Sequence, residues 1–340
     1  MRLLIWGAGA IGGTIGAYLA RAGHDVTFVD RAPEHVAAIR ADGLRITGPI
    51  TEFSVQAPAY TPDELQGEWE TIVLAVKAQD TRSASQALAP YLKADGYVVS
   101  AQNGLNELVI QEVVGKARTM GCFVNFGADY LEPGLIIYAG RGAVVLGELD
   151  GQMTPRLSEL HSVFRQFEEN AIVTDNIWGY LWGKLAYGAQ LFVTALTNDS
   201  IADALADERT QDVYIAIAQE VMRIALARGV TPMGFNGFDP LAFLPDTPRA
   251  VSIQSLKDME AFNRKSAKSH SGIWRDLAVR KRKTEADPQL GPIVTLGAEV
   301  GVPAPLVART IEMIHEIEED RRPMSRANLD ELAALLPAKT

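Results

Sequence analysis

Gly7-Ala8-Gly9-Ala10-Ile11-Gly12 follows the apolar run Leu3-Leu4-Ile5-Trp6 and precedes an amphipathic stretch. Strand, glycine loop and helix in that order are what a dinucleotide pyrophosphate requires. Gly7 permits the tight turn out of the strand, Gly9 lets a phosphate approach bare backbone, and Gly12 lets the helix lie close to the sheet. The N–H groups that open the helix then face the phosphates. A second apolar strand, Val26–Val29, ends in Asp30-Arg31. An acidic side chain there hydrogen-bonds the adenosine ribose, whereas an arginine pairs with a 2′-phosphate. Arg31 leans the expectation to NADP(H), and Asp30 keeps NAD(H) open.

Two more apolar strands end in polar residues. Lys77 follows Thr71–Val76, and Gln102-Asn103-Gly104 follows Tyr97–Ala101. In an open parallel sheet ligands sit outside the carboxyl ends of the strands, so both exits fall on the edge that carries the glycine loop. Farther along, Lys184 lies within the apolar stretch Trp178–Ala186. An ammonium there either snorkels to water or meets a partner or cleft. Beside a nicotinamide it would donate a proton to a ketone oxygen that becomes an alkoxide. Glu285 follows the basic run Arg280-Lys281-Arg282-Lys283, which reads as a solvated helix end able to hold the carboxylate in a salt bridge. Ser271 opens Ser271–Asp276 and reads as a helix cap.

These residues need a frame. Up to about residue 175 short apolar strands alternate with helical stretches, the pattern of a parallel α/β sheet. Strands are expected at Leu3–Trp6, Val26–Val29, Thr71–Val76, Tyr97–Ala101 and Arg118–Val124. Gly134–Ala139 and Ala143–Gly147 flank Gly140-Arg141-Gly142 and read as a hairpin. From about Asn176 helical periodicity takes over, with helices expected at Ile177–Leu196, Arg209–Arg228, Ile253–Arg282, Leu290–Val300 and Ala304–Glu319. The fold expected is α/β: a Rossmann-type parallel-sheet domain over 1–175, then an all-helical domain over 176–330 for substrate and dimerisation. The loop from Gly234 to Arg249, rich in Pro, Gly and Phe, is placed to cover a cleft.

Composition narrows the class. The chain has 340 residues, 47% of them hydrophobic, and a net charge of −10, which argues against nucleic-acid or anionic-membrane surfaces as partners. A single cysteine, Cys122, makes no intramolecular disulfide, and no Cys/His spacing suggests a metal. A strand beginning at residue 2 or 3 leaves no room for a signal peptide, and no apolar run would span a bilayer, so a soluble cytoplasmic protein is expected. The apolar face Ile215–Ile224 makes a homodimer the expected assembly.

Gly7–Gly12, Arg31, Val76-Lys77-Ala78, Gln102-Asn103-Gly104, Leu181-Trp182-Gly183-Lys184-Leu185-Ala186 and Thr284-Glu285-Ala286-Asp287 keep one order over nearly the whole chain. In these elements the chain resembles the ketopantoate reductase (2-dehydropantoate 2-reductase) family. The resemblance implies a Rossmann domain followed by a helical domain, with the active site in the cleft between them. It implies that Gly7, Ala8, Gly9, Ala10, Ile11, Gly12 and Arg31 hold the cofactor and that Lys184 is the catalytic acid/base, assisted by Glu285. Lys77 and Asn103 would contact the nicotinamide end or the substrate, and Ser271 the substrate carboxylate. Departures from the family's pattern fall on the substrate side. Asparagines expected one and two helical turns after the lysine are replaced by Gly188 and by Leu191 or Phe192, and the family's Asn-x-x-Ser pair is matched only by Asn263 and Ser266, with Lys268 three residues before Ser271. The substrate implied is a 2-oxo acid, either ketopantoate or a related acid that is bulkier or more apolar. The alternatives are a hydroxyacid or opine-type dehydrogenase working oxidatively and a non-catalytic cofactor sensor.

Overall fold

Leu3, Leu4, Ile5 and Trp6 carry no polar group, and a strand of that kind belongs in the middle of a sheet covered on both faces. In the computed structural model, which describes residues 1–235, 237–265 and 269–337, all four are buried. The chain divides into two units, Met1–Ile177 and Trp178–Thr340.

The first unit runs β1 (Arg2–Trp6), α1 (Ala10–Arg21), β2 (Asp25–Val29), α2 (Pro33–Asp42), β3 (Leu44–Thr47), β4 (Phe53–Val55), β5 (Ala59–Tyr60) and β6 (Trp69–Leu74). It continues with α3 (Thr81–Leu88), β7 (Leu92–Ser100), α4 (Asn106–Val114), β8 (Thr119–Glu132), β9 (Leu135–Glu148), α5 (Pro155–Phe164) and β10 (Ile172–Val173). Among the described residues these strands form one sheet in the order β4-β3-β9-β8-β7-β6-β1-β2-β5, with β10 beside β9. The stretch from β5 to β8 is parallel throughout. The chain moves from β1 out to β2 and returns to β6 on the other side of β1, so the strand order reverses at β1. One hydrophobic core lies against α1 and includes Ile15, Leu19, Phe28 and Tyr138. A second, with Leu74, Leu88, Val98 and Ile110, lies under α3 and α4. This is the doubly covered α/β sheet expected from the sequence.

The hairpin expected around Gly140–Gly142 is not there. β8 and β9 are the hairpin, turning at Pro133-Gly134, and Gly134 has φ +75°. Gly140 and Gly142 lie inside β9, where Asn125 pairs with Ala143 but Gly127 pairs with Gly140, one residue more on β9 than on β8. A side chain on Gly142 would stand 1.7 Å from the Asn125 carbonyl oxygen. These glycines accommodate a β-bulge, and in sequence a bulge glycine looks like a turn glycine.

The second unit is helical: α6 (Ile177–Thr194, its first residue in the first unit), α7 (Ile201–Ala206), α8 (Gln211–Ala227), α9 (Arg249–Arg264), α10 (Gly272–Trp274), α11 (Ala286–Glu299), α12 (Pro305–Glu318) and α13 (Ala327–Ala333). The long helix expected over Ile253–Arg282 is broken. α9 ends at Arg264, Ser271 accepts the Trp274 N–H and caps α10, and a π-helical turn over Arg275–Val279 leads to Lys281 at φ +49°. Apolar periodicity persists across the break, but Ser271 offers the backbone an N-cap that ends one helix and starts another. The Ile215–Ile224 residues expected to face a second subunit are instead core: Ile215, Ile217, Val221, Met222 and Ile224 are all buried. From the same helix, buried Glu220 accepts the N–H groups of Leu306 and Val307, both at 3.0 Å, and so caps α12.

One buried carboxyl is not compensated in this way. Glu107, in the first turn of α4, is fully buried, and neither of its oxygens has a well-formed hydrogen bond. Burial pushes it up to about 7. In the unfolded chain the group ionises near its ordinary value of 4.5. Folding stability should therefore be greatest below pH 4.5 for this group and fall by about 3 kcal/mol as pH rises through 7. Chemical denaturation between pH 4 and pH 8 should show Glu107→Gln free of that loss; an unaltered slope would mean that Glu107 is not the titrating group.

Candidate active site

The register of the parallel strands sets the site's floor. Trp6 is level with Val29 on one side and Leu74 on the other, and Leu74 is level with Ser100. The next residue of each strand closes the row: Gly7 N–H donates to Val29 O at 2.8 Å, Ala75 N–H to Trp6 O at 2.9 Å and Ala101 N–H to Leu74 O at 2.9 Å. The glycine loop, Asp30, Lys77 and Asn103 therefore leave the sheet along a single edge, at the reversal of strand order.

Gly7 and Gly12 have the backbone geometry that their spacing implied. Gly7 has φ +97°, and a side chain there would meet the Ala75–Val76 backbone at 2.9 Å. Gly12 would place a Cβ 2.1 Å from Gly7 O, so only glycine lets α1 sit this close to β1. Beside Gly9 there is open space within 4 Å, and no side chain caps α1 at that residue. An uncapped helix N-terminus behind a bare, unobstructed backbone fits a pyrophosphate. Ala8, Ala10 and Ile11 complete the loop, Ala8 buried and the other two half-buried.

Ala8 is held from both sides. Its N–H donates to Asp30 Oδ2 at 2.9 Å, and Asp30 Oδ1 accepts the Ala32 N–H at 3.0 Å. Buried His35 lies 2.9 Å from Ala8 O through Nε2 and accepts the Gly134 N–H at Nδ1, also at 2.9 Å. With Nδ1 accepting, Nε2 carries the proton and donates to Ala8 O, which makes His35 a neutral structural histidine. Arg31 reaches across to Asp80, Nη1 to Oδ1 at 3.0 Å.

Lys77 and Asn103 are both exposed, and the backbones that carry them are tied together by a buried polar network. Gln102 Nε2 donates to Val76 O at 2.9 Å and to Thr81 Oγ1 at 2.8 Å. Thr81 in turn donates to Asn106 Oδ1 at 2.8 Å, and Asn106 Nδ2 donates to Asn103 O at 2.6 Å. Sequence reasoning singled out Gln102 only as part of a motif and missed Thr81, Asn106 and His35. A polar residue just past a strand exit was the signal available.

In the second unit Lys184 is half-buried on α6. Gly188 and Leu191 follow at i+4 and i+7, so all three share one face of the helix. Apart from the neighbouring backbone of α6 itself, no atom of the described residues lies within 4 Å of where a Gly188 side chain would begin. The loop expected to cover a cleft packs on α6 within its own unit. Met233 N–H donates to Gly179 O at 3.0 Å, Met233 O would stand 2.3 Å from a Cβ on Gly183, and Phe235 and Phe238 contact Tyr187. Burial raises the Tyr187 hydroxyl, against an opposing hydrogen bond from Asn263. Glu285 is half-buried at the N-cap of α11, and Thr284 beside it donates its N–H to Glu318 at 2.7 Å. Of the basic run, Arg280 and Arg282 both pair with Asp276, at 3.0 and 2.9 Å. Ser271 is buried, with its oxygen used by the α10 cap. Ser266 and Lys268 lie outside the described residues. Among the described residues no His/Cys/Asp/Glu group could hold a metal ion, and no helix is long and apolar enough to cross a membrane.

Comparison with known proteins follows the same division. Residues 3–151 match the family described as ketopantoate reductase PanE/ApbA, and residues 176–318 match its C-terminal domain. The chain belongs to the ketopantoate reductase family. It is an oxidoreductase of the class acting on CH–OH donors. It is 30% identical to the 2-dehydropantoate 2-reductase of Pyrococcus abyssi over 313 residues, covering 90% of this chain and 94% of that one. The crystal structure of a PanE/ApbA family ketopantoate reductase from Ralstonia eutropha is 27% identical with a TM-score of 0.78, covering 94% of this chain and 99% of that one. A D-mandelate dehydrogenase solved with NADH and anilino(oxo)acetate shares the fold at 22% identity and a TM-score of 0.82, with the same coverage.

Gln102→Ala removes two donors from the buried network and leaves Val76 O without that partner. The variant should be less stable by about 1–3 kcal/mol in urea denaturation; a change within experimental error would show that the network is not needed to fix the two strand exits.

Proposed function

We propose that this chain is a nicotinamide-dependent 2-oxo acid reductase, producing the 2-hydroxy acid, and that its substrate is bulkier or more apolar than ketopantoate. The observation that carries the reaction is the shared edge at which the glycine loop, Lys77 and Asn103 leave neighbouring parallel strands. The loop residues Gly7–Gly12 would hold the pyrophosphate against the amide groups of α1. When bound there, NAD(P)H would supply the hydride for C2 of the oxo acid. Lys184 donates the proton that the ketone oxygen needs as it gains negative charge, and Glu285 assists at the substrate. Lys77 and Asn103 orient the reacting end, and the Ser271 hydroxyl proton is available for the substrate carboxylate.

Gly188 supports the choice of substrate. An amide at that position, one turn from Lys184, would offer a hydrogen bond to a substrate hydroxyl, whereas glycine offers room and no partner. Leu191 continues the same face without a polar group. A substrate hydroxyl desolvated there without a partner costs about 1–3 kcal/mol, which disfavours a hydroxylated acid and admits a wider apolar one.

Two kinetic results follow from this reading. Lys184→Ala should lower kcat by at least about a hundredfold while cofactor affinity, read by nicotinamide fluorescence, is retained; normal turnover would remove Lys184 from the chemistry. Gly188→Asn should raise kcat/KM for ketopantoate relative to branched or aromatic 2-oxo acids by about tenfold, followed at the nicotinamide absorbance band. A wild-type preference for ketopantoate across such a panel would overturn the proposed substrate class.

A further inference from the structure

We infer that Asp80 makes this chain select NADH over NADPH by occupying the arginine that would otherwise receive a 2′-phosphate. The inference rests on the dinucleotide reading of the glycine loop and goes beyond it.

The 2′ position of a cofactor lying along this edge falls at the end of β2, where Asp30 and Arg31 stand. An arginine selects a 2′-phosphate when its guanidinium is available to the phosphate oxygens. The Arg31 guanidinium already has a carboxylate partner. Asp80, which ends the short 3₁₀ turn after Lys77, holds Nη1 at 3.0 Å, although the two residues are 49 apart in sequence. A 2′-phosphate would have to share the exposed Arg31 guanidinium with Asp80 or displace it, and in either case would stand next to the Asp80 charge.

The rest of the neighbourhood is acidic as well. Asp30 keeps its carboxylate at the rim, oriented by the Ala8 and Ala32 N–H groups, which use one hydrogen-bonding direction of each oxygen and leave others for ribose hydroxyls. Glu34 is exposed in the first turn of α2. Burial first, and then the charges of Glu34, Asp30 and Glu132, raise the Tyr130 hydroxyl. The nearby Arg40 is paired with Glu64 at 2.6 Å, and Arg45 with Glu132 at 3.4 Å. The field at the end of β2 thus favours a neutral diol over a phosphate.

The test is equilibrium binding of NADH and NADPH to the intact protein without substrate, by calorimetry or nicotinamide fluorescence. Wild type should bind NADH at least about tenfold more tightly than NADPH. Asp80→Asn, close in shape and checked for folding by its melting curve, should raise the NADPH-to-NADH affinity ratio by about tenfold, and by less in high salt. Should the asparagine variant fail to fold, Asp80→Ser is the substitute with the same expected change. Equal or tighter binding of NADPH by wild type overturns the preference. A ratio unmoved by either substitution overturns the role of Asp80. Binding of neither dinucleotide overturns this inference together with the dinucleotide reading itself, whereas binding of both without discrimination overturns this inference alone.

Discussion

The clasp on Ala8 is the constraint on which the glycine-loop edge of the sheet depends. A glycine-rich loop has no side chains to hold its own shape, and Gly7 and Gly9 enlarge the set of conformations open to it. Here the single side-chain-bearing residue between them is gripped at both ends of its peptide unit. Asp30 accepts its N–H with a charged oxygen, and His35 donates to its carbonyl. A hydrogen bond to a charged group contributes about 1.5–3 kcal/mol, roughly twice a neutral one, so the Asp30 contact is the stronger half. Because Asp30 terminates β2 and His35 opens α2, the loop is fixed by the elements that come next in the chain. His35 carries the connection farther, to the turn between β8 and β9.

The second unit relies on close packing instead. α6 is apolar on nearly every side, with Leu181, Trp182, Leu185, Ala186, Ala189 and Phe192 buried, so its position is set by the shapes around it. Gly183 lets the Met233 backbone pack directly onto the helix next to Lys184. Lys184 thus sits on an element with little freedom to shift. The buried Glu220 does comparable work for α12 by taking up two of the amide groups that a helix start leaves unsatisfied.

Much of this was legible in the residues themselves. β1, β2, β6 and β7 are short apolar runs with sharp polar exits, and the exits are where the sheet places the glycine loop, Asp30, Lys77 and Asn103. What could not be read depends on partners distant in sequence. Nothing local to Leu44–Thr47 says that it joins β9, about 90 residues later. Gly140 and Gly142 were misread as a turn because a bulge and a turn ask the same freedom of a glycine. The helix expected over Ile253–Arg282 was misread because apolar spacing continues through a capping serine. The ion pair between Arg31 and Asp80 likewise joins two different strand exits and could not be read from either alone.

The β3–β9 pairing also bears on the order in which the molecule can assemble. β3 is translated early and pairs at once with β4, but it can find its other neighbour only after β9 exists, and the Gly134 amide that His35 holds belongs to the same late segment. Native contacts between such distant parts of a chain are slow to form, since loop closure must come before any reward. During synthesis the early strands must therefore wait, with their apolar faces incompletely covered, until residues near 148 have left the ribosome. The late-arriving β8–β9 hairpin is what completes the enclosure of α1.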